Sequence, residues 1–121
     1  MTKHFQALAT VTPYTTRDGS TIRELMHPAV HGNHAQSLAE ARVEPGTRTA
    51  PHRHRLTEEL YFILEGEGEM ELGERRFAVG PGDTVCIAPG TRHSIRATGA
   101  ASLRFLCCCA PAYRHEDTEL L

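Results

Sequence analysis

The sequence predicts an all-β fold, a sandwich or jelly-roll barrel of about eight short strands. Three observations predict it. Short runs of residues alternate between apolar and polar at a period of two. Glycine and proline punctuate these runs at short intervals. Helical periodicity is weak throughout, and the one stretch that can be drawn as a short helix, GNHAQSLAEAR, fits a strand as well.

In chain order, residues 1–20 carry little pattern and are expected as an N-terminal arm, residues 21–110 as the barrel, and residues 111–121 as a polar C-terminal tail. In SLAEARVEPG, Ser37, Ala39, Ala41 and Val43 share one face, and Leu38, Glu40, Arg42 and Glu44 share the other. The run LYFIL follows, closed by Gly66. In GEMEL, Met70 and Leu72 alternate with Glu69 and Glu71, and in RFAVGPGD, Phe77 and Val79 oppose Arg76 and Ala78. Val85 and Ile87 share a face before the turn at Pro89-Gly90. Near the end Leu103, Phe105, Cys107 and Cys109 oppose Arg104, Leu106 and Cys108. Each run has one apolar or small face, as expected of sheets closing around a core. The predicted inward set runs from Tyr61 and Ile63 through Met70, Leu72, Phe77, Val85, Ile87 and Ile95 to Leu103 and Phe105, most of it simply core.

Composition narrows the function. With 121 residues the chain is the length of one domain, and with 40% hydrophobic and 23% charged residues it has the balance of a folded protein. A net charge of -2 and the lack of any long basic run argue against a nucleic-acid partner. No apolar run approaches the roughly 20 residues of a membrane helix. The start MTKHFQALATVTPY lacks the apolar core of a secretory signal, so a cytoplasmic protein is expected. Of the 4 cysteines, three are consecutive, Cys107 to Cys109, and neighbours on a strand point to opposite faces. That run suits neither a disulfide framework nor zinc-ligand spacing, and reduced, packed thiols are expected.

Chemistry concentrates in GTRTAPHRHRLTEELYFILEGEG. His52 and His54, at i and i+2 of a strand, project side by side, and neutral imidazole is the commonest protein metal ligand. Glu59 follows at the start of the next apolar run, where a short bend lets its carboxylate meet the two rings. An exposed strand face places two histidines the same way, and 8 histidines make chance pairs easy. The second half supplies a third imidazole: His93 opens a strand after the turn in GPGDTVCIAPGTRHSIRA. Three imidazoles and one carboxylate leave about two positions open on a six-coordinate ion, as a catalytic metal needs.

At these residues the chain resembles the cupin superfamily. The first cupin motif, G-x5-H-x-H-x4-E-x6-G, is matched at every fixed position by Gly46, His52, His54, Glu59 and Gly66. The second, G-x5-P-x-G-x2-H-x3-N, is matched by Gly82, Gly90 and His93, with Ala88 in the proline position and Ala97 in the asparagine position. Neither departure removes a ligand. The resemblance implies a double-stranded β-helix in which His52, His54, Glu59 and His93 hold one divalent transition metal per chain: iron, manganese, zinc, nickel or copper. It also implies a homodimer, since related small cupins are commonly dimers. The family hosts dioxygenases, decarboxylases, isomerases, lyases and non-enzymatic binders, so fold alone does not name the reaction.

The expected partner is a small, partly hydrophobic organic molecule. A dioxygenase-like oxidoreductase is favoured over a redox-neutral isomerase, decarboxylase or lyase, and over a non-catalytic binding module. Tyr61 is the candidate to orient the substrate or donate a proton. Arg48, on the histidine strand with matching parity four residues before His52, is the candidate to face the entrance and hold a substrate carboxylate. Lys3 is the only lysine and lies far from the motifs, which disfavours Schiff-base chemistry. His27, His31 and His34 are expected in a surface loop, with Pro28 and Gly32 breaking a helix there, and His115 in the tail.

Overall fold

A computed structural model describes residues 3–121 of the chain; residues 1 and 2 of the expected arm lie outside the described residues. Among the described residues eleven strands form two antiparallel sheets. In chain order they are β1 (Tyr14–Thr15), β2 (Thr21–Met26), β3 (Ser37–Val43), β4 (His52–His54), β5 (Glu58–Glu65), β6 (Gly68–Leu72), β7 (Arg75–Val79), β8 (Thr84–Ile87), β9 (His93–Ala97), β10 (Leu103–Ala110) and β11 (Thr118–Leu120). One sheet runs β1-β2-β3-β10-β5-β8 and the other β11-β4-β9-β6-β7. This is an all-β jelly-roll.

Alternation sets which residues fill the space between the sheets. Ile63, Met70, Ile87, Ile95, Leu103 and Phe105 are almost wholly buried, as their strand parity requires. Leu72 and Phe77, expected inside, lie at the edge of the core and are only partly covered. Gly66 and Gly68 mark where two backbones crowd. A Cβ at Gly66, whose φ is 83°, would stand 2.5 Å from the Ser102 carbonyl oxygen, and one at Gly68 would stand 2.8 Å from that of Arg96.

The motif departures are absorbed locally. The Ala88 carbonyl accepts from the Thr91 N–H at 3.2 Å, with Pro89 next and Gly90 at φ 82°, the chemistry of a type II turn. Ala97 keeps both backbone bonds, donating to Thr47 O and accepting from Gly46 N.

One expectation is corrected. Pro28–His31 is a single helical turn rather than loop. Pro28 sits at its start, where its missing N–H costs no helical bond, and Gly32, at φ 79°, caps its end in the left-handed region. The two residues bound the turn instead of abolishing it. His27 and His31 are spent on it: His27 Nδ1 accepts from Ala29 N, and His31 Nδ1 accepts from His27 N.

The two chain ends fold over the same end of the barrel. Residues 14–26 form the β1–β2 hairpin, packed on β3. Residues 111–121 supply β11, which pairs with the histidine strand β4 as Thr118↔His54 and Leu120↔His52. Buried Asp117 accepts from Leu56 N at 2.9 Å and Thr57 N at 3.1 Å, tying this segment to the bend after β4.

Candidate metal centre

His52 and His54 project from β4 into the barrel, and His93 at the start of β9 pairs directly with His52. Ligand nitrogens of the three rings lie within 4.8 Å of one another, and all three residues are buried. Glu59 enters from β5 in the opposite sheet. Its Oε1 lies 3.3 Å from His54 Nε2 and 3.5 Å from His93 Nε2. The structure therefore brings together the four residues named from the sequence.

The outer nitrogens fix how each ring is used. His52 Nδ1 lies 2.7 Å from the Ala50 carbonyl, and His93 Nδ1 lies 2.9 Å from the Thr91 carbonyl. A carbonyl only accepts, so both Nδ1 atoms carry the proton. His54 Nδ1 lies 3.1 Å from the Thr118 hydroxyl, which spends its own proton on the Arg114 carbonyl. This Nδ1 is a donor too. In the neutral rings all three Nε2 atoms are thus left as lone pairs, those of His54 and His93 aimed at the Glu59 carboxylate and that of His52 standing 3.6 Å from Asp18 Oδ2.

Lone pairs facing a carboxylate at this range repel unless a cation stands among them. Glu59 Oε1 and His93 Nε2 are buried and lack any hydrogen-bond partner. Orphaned buried atoms are costly, and here they mark a site whose missing partner is positive. The donor set, three imidazoles and a carboxylate, suits a divalent transition ion. Burial by itself would raise the Glu59 carboxyl; positive charge on the His54 and His93 rings, with Nε2–H donating to it, outweighs burial and holds the group well below the usual carboxylate range, so the carboxylate is paired by a proton on those rings or by a cation in its place. Burial, together with His93, pushes the His52 imidazole down, against a smaller opposing pull from Asp18.

Beside the four donors lies a small cavity, about 40 Å³, walled by Ile22, Ala39, Ala41 and Phe105 and by the rings of Tyr61 and Tyr113. Tyr61 is buried, its ring 6.2 Å from that of His93, and burial keeps its phenol well above the usual range. Cys107 and Cys109 also line the cavity, and all four cysteines are free thiols. Cys109 donates to Glu59 Oε2 at 3.3 Å, which fixes that carboxylate and turns Oε1 toward the histidines. Burial raises both inward thiols, so they stay protonated.

Arg48 stands elsewhere. Its guanidinium lies 3.9 Å from Glu71 and it does not line the cavity. Pro51 breaks the parity assumed from the sequence: Thr49 is the buried residue before it, bonded to Ile95, while Arg48 faces out. His115, exposed, bonds the Tyr113 hydroxyl at 3.0 Å.

Residues outside the motifs complete the site. Thr118 orients His54. Tyr113 packs edge-on to His54 at 5.7 Å between ring centroids. Asp18, in the turn of the β1–β2 hairpin, places Oδ2 3.6 Å from His52 Nε2. The Asp-Gly pair at 18–19 is a hairpin signal, but nothing local says that its carboxylate reaches over the barrel mouth.

A jelly-roll barrel holding three buried imidazoles and a carboxylate at one end is a metal-site architecture of the β class. The family model for the Cupin domain matches residues 39–109; the chain belongs to the cupin family. An uncharacterized protein of Methanocaldococcus jannaschii is 50% identical over 111 residues, covering 92% of this chain and 89% of that protein. The oxalate-binding protein of Thermotoga maritima is 33% identical over 84 residues, 69% of this chain and 65% of its own length. Among solved structures, a predicted oxalate decarboxylase of Thermotoga maritima superposes with a TM-score of 0.77 at 25% identity, covering 87% of this chain and 96% of that one.

Proposed function

We propose that the protein is a small metalloenzyme in which His52, His54, Glu59 and His93 hold one divalent transition ion and present it to a small organic substrate in the adjoining cavity. The observation that carries this reading is the pair of orphaned buried atoms, Glu59 Oε1 and His93 Nε2, 3.5 Å apart. When bound, the ion supplies a Lewis-acid or redox centre.

The chain's own residues supply the rest. Three Nδ1 anchors and the Cys109 thiol hold the donors rigidly. The Tyr61 phenol, kept protonated by burial, donates a hydrogen bond to a substrate oxygen. Dioxygenase-like oxidation is the reaction we place first, because an imidazole-carboxylate set beside a partly aliphatic and aromatic wall suits a redox ion and a partly hydrophobic substrate. A redox-neutral lyase or isomerase has one observation in its favour, the Asp18 carboxylate beside the centre, which can accept a substrate proton. The homodimer implied by family resemblance belongs to the same reading and is checked by the mass of the particle in solution.

The deciding experiment has two steps. Elemental analysis of protein purified without added metal is expected to find about one transition ion per chain. Oxygen uptake by the iron(II) form with catechols, β-diketones and flavonols then separates the two chemistries. Bound metal with no oxygen consumed refutes the oxidative reading, and activity with zinc or manganese under anaerobic conditions establishes the redox-neutral one. Protein that takes up no transition metal refutes both.

A further inference from the structure

Resting on that metal reading, we infer that Asp18 is a specificity-determining residue that makes this cavity select uncharged, hydrogen-bond-donating ligands and reject carboxylates. Charge carries the inference. A divalent ion held by three neutral imidazoles and the single carboxylate of Glu59 keeps one net positive charge, a centre that attracts an anion. In this chain a second carboxylate, Asp18, stands 3.6 Å from His52 Nε2 and cancels that charge. No arginine or lysine lines the cavity to restore it. The one other ionisable carboxyl on the wall, Glu24, adds a further acceptor, its Oε1 buried and unpartnered.

Asp18 is not a loose surface acid. Its Oδ1 accepts from Ser20 N at 2.9 Å and from the Ser20 hydroxyl at 2.6 Å, and its carbonyl accepts from Ala50 N at 2.7 Å, next to the histidine strand. The backbone of its turn closes through Thr16 N to Ser20 O, with Gly19 at φ 93°. These bonds commit Oδ1 and leave Oδ2 directed at the centre. An incoming hydroxyl beside the ion meets an acceptor there, whereas an incoming carboxylate meets a fixed negative charge that is itself largely buried, where like charges repel more strongly than in water. The 33% identical relative is named for binding oxalate; the inference sets this chain apart from that ligand class.

The test compares two ligands of equal heavy-atom count that offer the same hydroxyl and carbonyl-type oxygen pair, neutral hydroxyacetone and anionic glycolate. Their dissociation constants are read from the visible spectrum of cobalt(II)-loaded protein, with cobalt content measured in parallel. The wild type is expected to prefer hydroxyacetone, and Asp18→Asn is expected to shift the ratio toward glycolate by about tenfold or more, the weight of one unit charge at short range. A wild type that prefers glycolate, or a ratio unchanged in Asp18→Asn, overturns the inference. So does an Asp18→Asn protein that no longer retains cobalt, because Asp18 is then a ligand rather than a selector. A wild type that takes up no cobalt fails at the first measurement and overturns the metal reading, and this inference with it. Glu74→Gln serves as the control for an exposed acid outside the cavity, and it is expected to leave the ratio within about twofold.

Discussion

The Glu59→Gln substitution isolates the donor on which the centre depends most. Glutamine keeps the shape of the side chain and can still meet the Cys109 thiol, but it removes the charge facing His54 and His93 at 3.3 and 3.5 Å. Breaking a buried charge pair by deleting one partner costs about 3–5 kcal/mol, roughly a hundredfold to several thousandfold in metal affinity. With metal supplied at about a thousand times the wild-type Kd, binding stabilises the fold by about 4.1 kcal/mol. At about 2.1 cal/mol/K of unfolding entropy per residue over 121 residues, that increment is about 16 °C in Tm. The same concentration leaves the variant with about 1.4 kcal/mol or less, an increment of about 6 °C or less. Differential scanning fluorimetry with and without zinc measures both increments, and each protein is its own reference, so any change in apo stability cancels. His115→Ala is the matched control and retains the full increment. Equal increments in wild type and Glu59→Gln refute the argument that the carboxylate and the imidazoles share one cation.

The remaining predictions follow from named contacts. Thr118→Val leaves His54 Nδ1 without its acceptor and lowers metal affinity by about tenfold to a hundredfold, read by competition with a chromophoric chelator, while the secondary structure by circular dichroism is unchanged. Acid weakens the apo fold from below about pH 6.5: the His52 imidazole is pushed down in the folded state, so the unfolded chain binds more protons there and stability rises with pH. Glu59, also held low, adds to the loss below about pH 4.5, and urea midpoints that stay flat between pH 7.5 and 5 sink the assignment of His52 to a desolvated site. Gly66→Ala forces a Cβ to within 2.5 Å of the Ser102 oxygen at positive φ and lowers stability by about 2–4 kcal/mol in denaturant titration. Arg48→Ala, facing Glu71 rather than the cavity, changes ligand affinity by less than about twofold in the cobalt assay.

How much of this was legible in the sequence differs by element and for physical reasons. Strand parity placed Ile63, Met70, Ile95 and Phe105 in the core because a period of two leaves no freedom once one face is buried. It failed at Arg48, because parity holds only within a continuous strand and Pro51 resets it before His52. It was also too strict for Leu72 and Phe77, which sit where the barrel opens. Pro28 and Gly32 have two meanings, breakers inside a helix and ordinary punctuation at its ends, and a single turn is short enough to be all ends. The stretch around Asp18 shows only a turn signal, since what its carboxylate meets is decided by β1 and β2 docking on β3, a long-range event with no local cue.

The anchoring of the three histidines explains why the motif alone is an incomplete description of the site. His52 and His93 use one local device: each donates Nδ1–H to the carbonyl two residues earlier, Ala50 and Thr91. Both devices travel with the motif, because each histidine opens its strand just after a bend and finds that carbonyl unpaired. His54 lies at the end of β4, one pleat further on, and takes its acceptor from Thr118 on the neighbouring strand. That strand belongs to the C-terminal segment, and the Asp18 carboxylate belongs to the N-terminal hairpin. The stretch that carries the two motifs, residues 46–97, therefore encodes four donors and two of their anchors, while the chain ends supply the third anchor and the charge that faces an incoming ligand. Exchanging the residues 14–26 hairpin between related barrels should consequently alter which ligands bind while the ion stays in place, and exchanging residues 111–121 should loosen the ion itself.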